Sequence, residues 1–186
     1  DAVERLSETA LFLCESFPNA TICVEPLRMD TVIGKACRAK SPDMRRFLME
    51  YLSALKVVRR ETGRGNFITS FLNISCGNSR RYCSASGSNF IVTPSGMITA
   101  CGGSTHKDFP GADIFMYGEI SGSKVVFSEN KYLNLTRCDC NAVEKCRDCF
   151  AKFICRGGCL SRKVHMEDFS HNASEHCDVI REACEV

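Results

Sequence analysis

The stretch Cys146-Arg-Asp-Cys149-Phe-Ala-Lys-Phe-Ile-Cys155-Arg-Gly-Gly-Cys159 packs four cysteines into fourteen residues at spacings of C-x2-C-x5-C-x3-C. No other part of the chain restricts its folding as much. A lone buried cysteine behaves as a small hydrophobe. Four thiols this close must instead be oxidised, metallated or chemically exposed, and C-x-x-C spacing favours metal. Two cysteines three positions apart on a turn, or on the first turn of a helix, point their sulfurs to one side. That suits bonds to one zinc or to neighbouring irons of one cluster.

The chain has 186 residues, 44% apolar and 25% charged, which is enough to build a core as one large domain or two small ones. It opens at Asp1 without a basic n-region or an apolar h-region, so neither a signal peptide nor a membrane span is expected, and it reads as cytoplasmic. Net charge is +2 with both signs interleaved, which leaves no footprint for nucleic acid. Arg59, Arg60 and Arg64 read as the solvated end of a helix. Fourteen cysteines would indicate disulfides in a secreted protein and metal in a cytosolic one. Four N-x-[S/T] triplets, at Asn19, Asn73, Asn134 and Asn172, speak for secretion. Chance alone supplies about one such triplet in a chain of this composition. Against secretion, the cysteines crowd between Cys138 and Cys159, where disulfide geometry is hard to satisfy for all of them.

In chain order, residues 2–16 place Val3, Leu6, Ala10 and Leu13 near one face of an amphipathic helix ended by Pro18, with Cys14 on its buried side. Thr21 to Val24 reads as a short buried strand with a solvated Glu25 at its end. Ser41 as N-cap and Pro42 at the first position open the longest helix, with Asp43 favourable to its dipole. Its stripe is Met44, Phe47, Leu48, Tyr51, Leu52 and Leu55, and it ends before Gly63. Phe67 to Ile74 reads as a strand. Helix, strand, helix, strand implies a parallel sheet covered by helices, so residues 1–75 look like the end of a larger α/β domain.

From Cys76 onward the chain turns Gly-rich and Ser-rich and holds most of the cysteines, the composition of a loop-rich domain organised by metal. Asn89 to Thr93 and Met97 to Ala100 flank Pro94-Ser95-Gly96 as a hairpin. Between Gly102 and Arg137 one strand is expected, Lys124 to Phe127, and His106 reads as a surface residue. Asn141, with Glu144 at the third position, is expected to cap a short helix delivering Cys146 and Cys149. A last helix spans about Asp178 to Ala183.

The full series reads C-x12-G-x4-C (Cys83, Gly96, Cys101), then C-x2-C-x5-C-x3-C, then Cys177. Over residues 76–186 this order, the glycine before Cys101 and the Arg-Gly-Gly-Cys run resemble the SPASM domain, the C-terminal extension of many radical S-adenosylmethionine enzymes. The resemblance implies a small α+β iron–sulfur domain at 76–186 behind the end of a partial β/α barrel at 1–75. It implies two auxiliary 4Fe-4S clusters, one held by Cys146, Cys149, Cys155 and Cys177, the other by Cys83, Cys101 and Cys159. Cys76 is the candidate fourth ligand of the latter, the alternative being an open iron. Arg156-Gly157-Gly158 would let backbone amides approach the cluster sulfurs, and Phe150, Phe153 and Ile154 would exclude water. Cys138 and Cys140 fall outside the pattern and read as spare thiols, and His176 beside Cys177 reads as incidental.

Enzymes of this family mostly modify peptides or proteins, through thioether or carbon–carbon crosslinks or by oxidising a side chain to an aldehyde. The resemblance therefore implies an oxidoreductase that matures a peptide or protein substrate and draws electrons from a donor such as flavodoxin or ferredoxin. S-adenosylmethionine and a third 4Fe-4S cluster belong to the barrel's C-x3-C-x2-C motif, which occurs nowhere in this sequence. The chain by itself is expected to bind clusters without turning substrate over. Two other readings remain: a zinc-binding structural or interaction module, and a secreted, disulfide-rich glycoprotein.

Overall fold

The computed structural model describes residues 2–27, 42–72, 79–109, 111–161 and 174–185. They form a mixed α/β structure whose elements run α1 (Leu6–Ser16), β1 (Ile22–Cys23), α2 (Met44–Thr62), β2 (Phe67–Ile68), β3 (Ile91–Val92), β4 (Met97–Thr99), α3 (Ala112–Phe115), β5 (Met116–Ser121), β6 (Lys124–Phe127), α4 (Glu129–Thr136), α5 (Lys152–Cys155) and α6 (Ser174–Glu185). The chain divides into two compact units, Asp1–Ser75 with Ser174–Val186, and Cys76–Ala173. Among the described residues no helix is long and apolar enough to cross a membrane.

The first unit is organised by α2. Its N-cap is Asp43, whose carboxylate accepts from the Arg46 N–H at 2.7 Å. The helix thus begins two positions beyond the expected Ser41 cap, which lies outside the described residues. It ends as expected at Gly63, which takes the left-handed conformation (φ 67°) that a side chain would disfavour. The face bearing Phe47, Leu48, Tyr51, Leu52, Ala54, Leu55 and Val58 is buried. The expected Met44 is half-buried.

Helix α1 packs on α2 through Leu6, Ala10 and Cys14, which is fully buried as expected. It starts later than expected because residues 2–5 form turns. Strands β1 and β2 pair in parallel, Ile22 with Phe67 and Cys23 with Ile68, on either side of α2 in sequence. Both are two residues long. Thr69 bridges Leu72 in an antiparallel sense, which closes the second strand short of the expected Ile74. Cys23 is exposed, so β1 is not the fully buried strand that its β-branched run suggested. Glu25 is exposed, and it accepts from the Ser70 N–H and hydroxyl at 2.6 and 2.7 Å, tying the two strand ends together.

Helix α6 is longer than expected and includes Cys177. It packs against α2 through a face with buried Val179, Ile180 and Ala183, and Arg45 pairs with Glu182 at 2.7 Å. That apolar face explains why the chain's end belongs with residues 1–75 rather than with the segment just before it.

The second unit is built on an antiparallel sheet of order β3-β4-β5-β6. Its first turn is the expected hairpin. Gly96 has φ 80°, and a Cβ there would stand 2.9 Å from the Ile120 carbonyl oxygen, so only glycine allows β5 so close. Strand β5 was not expected. Gly118 interrupts its alternation, because a Cβ there would lie 2.8 Å from the Val126 oxygen of β6. The core under this sheet is Ala85, Ile98, Ala100, Phe115, Tyr117 and Leu135, with Cys101, Ile114 and Leu160 packed against it.

Candidate metal centre

Cys83, Cys101 and Cys159 lie far apart in sequence, and the apolar core of the second unit explains why they meet. Ala85 stands two positions after Cys83, Cys101 itself packs on the core, and Leu160 follows Cys159 directly. Packing Ala85, Cys101 and Leu160 on one core brings the chain segments that carry the three cysteines together. The Cys83 thiol is pushed up from its ordinary pKa, first by loss of hydration and further by the Cys159 and Cys101 thiolates, against a backbone N–H from Ala85 that favours the thiolate. By total surface Cys83 is exposed, so the desolvation acts on its sulfur and not on the residue as a whole.

Local hydrogen bonds hold the chain at Cys83 and Cys101; the Cys83 carbonyl accepts from the Ser86 N–H at 3.4 Å. The Cys101 N–H reaches Thr99 Oγ1 at 3.3 Å, and its carbonyl accepts from the Ser104 N–H at 3.0 Å. Beside it, Gly103 leaves room: a Cβ there would lie 3.7 Å from Cys101 Sγ and 3.8 Å from Ser161 Oγ. Ser104 and Ser161 are buried. Neither serine was singled out by the sequence. The only signal was a Gly-Gly pair, Gly102-Gly103 after Cys101, echoing Gly157-Gly158 before Cys159.

Cys146, Cys149 and Cys155 sit on consecutive tight turns, all half-buried. Asp139, not Asn141, caps the first 3-10 turn, Cys140–Ala142, its carboxylate accepting from the N–H groups of Asn141 and Ala142 at 2.7 and 3.2 Å. A second such turn, Glu144–Cys146, follows, and the Cys149 N–H bonds the Cys146 carbonyl at 3.3 Å. Helix α5 ends on Cys155. Arg156, Gly157 and Gly158 then all take positive φ (55°, 76° and 76°), reversing the chain toward Cys159.

The glycines have a role in the chain's own geometry. The Gly158 N–H bonds the Cys155 carbonyl at 3.0 Å, and a Cβ on Gly157 would stand 3.4 Å from Cys140 Cα. They permit a left-handed turn and a close backbone approach. Cys140 is fully buried at that contact, which pushes its pKa up, with the Asp139 charge adding to the effect. Cys138 Sγ lies 3.3 Å from the Asn134 carbonyl oxygen. Phe150 (62% exposed) and Phe153 (40%) face solvent, so they do not exclude water as expected. His106 is on the surface beside Asp108, 3.1 Å away.

Cys177, half-buried, lies on α6 in the first unit. Cys76 lies outside the described residues. Among the described residues no three His, Cys, Asp or Glu side chains form a group that could hold one metal ion. That bears on single-ion sites more than on clusters. Ligands of one zinc all stand about 2.3 Å from a common centre, whereas the thiolates of a cubane each bind a different iron and so stand further apart.

Three buried side-chain polar atoms among the described residues have no hydrogen-bond partner: Asn66 Oδ1, Ser104 Oγ and Arg156 Nη2. Two of the three are within three positions of the cysteines just described. Buried polar groups left unsatisfied are uncommon and point to an absent partner. The thiol donors and these two orphaned atoms have the chemistry that suits an anionic metal centre. No protein-family model, curated protein or solved structure matches the chain.

Proposed function

We propose that this chain is the C-terminal portion of a radical S-adenosylmethionine enzyme of the SPASM group, a peptide- or protein-modifying oxidoreductase. In this reading Cys83, Cys101 and Cys159 hold one auxiliary 4Fe-4S cluster, whose fourth iron is either bound by Cys76 or left open. Cys146, Cys149 and Cys155 hold the other, and the sequence pattern adds Cys177 to them. The observation that carries the reading is the single core on which Ala85, Cys101 and Leu160 pack, which gathers the chain at Cys83, Cys101 and Cys159, residues that sequence proximity alone would not assemble. The clusters would supply one-electron transfer, and an open iron would bind substrate. The chain's own residues position the sulfurs, keep Cys83 partly dehydrated and supply hydrogen bonds to them. In the cell the partners would be the peptide substrate and a flavodoxin- or ferredoxin-like donor, in the cytoplasm.

Anaerobic purification tests this directly. The expected product is brown, with about eight irons per chain if both sites hold 4Fe-4S clusters. A colourless protein carrying zinc, or one whose cysteines are paired as disulfides and whose asparagines carry glycan, would sink the reading. The assignment of Cys159 has its own check: Cys159→Ser should remove the cluster shared with Cys83 and Cys101 and spare the one held by Cys146, Cys149 and Cys155.

A further inference from the structure

We propose that Arg156 is the buried countercharge of an iron–sulfur centre in the second unit, a positioning residue that stabilises the centre's reduced, more negative state. The inference rests on the cluster reading above and goes beyond it by giving a role to a residue that ligates nothing.

Arg156 carries two costs at once. It is 6% exposed, its Nε donates to the Phe153 carbonyl at 3.3 Å, and its Nη2 has no partner. Among the described residues it forms no ion pair, and a guanidinium does not escape burial by losing its proton. A buried charge without a partner is among the most destabilising arrangements a fold can contain. The same residue is also the only non-glycine among the described residues with positive φ, 55°. Glycine would remove both costs, and glycines do occupy the next two positions in the same backbone region. Strain and an orphaned charge on one side chain mark a place where the folded chain is incomplete without something else.

The missing group must be an anion that accepts hydrogen bonds. Arg156 directly follows Cys155 and stands three positions before Cys159, on the turn that joins the two sets of sulfurs. A 4Fe-4S core with thiolate ligands is a net anion whose sulfurs accept hydrogen bonds, and nearby charge and hydrogen bonds set its potential. Reduction adds a further negative charge, so a fixed cation beside the centre favours the reduced form. Removing that cation must lower the midpoint potential.

The test is an anaerobic redox titration, read by electron paramagnetic resonance, of the full chain reconstituted with iron and sulfide. Wild type would be compared with Arg156→Gln, Arg156→Lys and Arg156→Gly. Arg156→Gly is the variant least at risk of misfolding, because glycine is at ease at this φ. Arg156→Gln and Arg156→Gly should each lower one centre's potential enough to cut its reduced-to-oxidised ratio about tenfold at a fixed ambient potential, which is about 59 mV for one electron. Arg156→Lys should shift it less. A merely structural role would leave the potential of Arg156→Gly at the wild-type value with full iron content, and that result overturns the proposal while the cluster reading stands. Wild-type protein that takes up no iron and sulfide would overturn both.

Discussion

In the unit that contains α2, seven buried residues of one helix face α1 on one side and α6 on another, and aromatic rings close the end of the core. Tyr51 stacks on Phe67 with centroids 5.3 Å apart, and Phe47 meets Phe71 edge-on at 6.3 Å. In the unit from Cys76 to Ala173 the common core has six residues, two of them alanine. Phe90, Val92, Val125, Val126, Phe127, Phe150 and Phe153 remain exposed there. Among the described residues the second unit buries fewer apolar side chains than the first. The first unit has the usual means of offsetting chain entropy. The second has tight turns and positive-φ glycines, and under the proposed reading bound metal would add to its small core.

The largest expected effect follows from that contrast. Stripping metal from the reduced chain should raise amide hydrogen exchange across residues 83–101 and 146–159 toward unfolded rates, while α2 residues 47–58 keep their protection. Equal loss in both units would erase the distinction, and no loss in the second would show that its small core suffices. Next in size is Phe47→Ala. Phe47 is 2% exposed, and truncating a buried phenylalanine costs about 3–5 kcal/mol. Denaturant unfolding followed by helical signal should show that loss, with iron content at the wild-type level.

Gly96→Ala probes the second unit in the same way. A left-handed conformation costs a non-glycine residue about 1–2 kcal/mol. The added Cβ would also press on backbone, the Ile120 oxygen 2.9 Å away, whose residue donates its N–H to the Gly96 carbonyl at 2.7 Å. About 2–4 kcal/mol is expected in all. If metal dominates this unit, the loss should be visible in the stripped chain and largely hidden in the loaded one, as thermal melts of both forms would reveal.

What the sequence made legible follows where periodicity is strong. The α2 stripe and its Gly63 stop were readable because buried positions recur at helical spacing, and the β3–β4 hairpin because Pro94-Ser95-Gly96 is turn chemistry. Strand β5 was not, since Gly118 stands where its alternation needs a side chain, and the neighbouring strand's approach that demands glycine is a tertiary fact. The start of α6 was missed too, and so was its attachment to α2, because an apolar face does not say which partner it seeks. At the site, the family resemblance proposed the grouping of Cys83, Cys101 and Cys159, but the core residues beside them, Ala85 and Leu160, are marked by no local pattern. Arginine is ordinarily exposed, so nothing in Arg-Gly-Gly announced the burial of Arg156.

The smallest expected effect again separates the units, through pH. Burial pushes the Tyr51 hydroxyl up to about 12 from an ordinary value of 10.0, against the Arg59 charge and a backbone hydrogen bond from Thr69, while the neutral hydroxyl donates to the Phe67 carbonyl at 3.2 Å. Between those values the folded chain keeps a proton that the unfolded chain has released. Stability contributed by neutral Tyr51 is therefore complete below pH 10 and is lost as pH rises toward 12. The gap between the two values sets an upper bound of about 2–3 kcal/mol on that contribution. The buried Cys14 thiol is also pushed up and titrates in the same unit, so the pH profile of wild type alone does not isolate Tyr51. Tyr51→Phe does, because it keeps the ring on Phe67 and removes the proton. The difference between wild-type and Tyr51→Phe unfolding free energies should be flat to pH 10 and should then shift steadily against the wild type. A difference that stays flat to pH 12 would mean water reaches this hydroxyl, and that the first unit's core is looser than its buried rings imply.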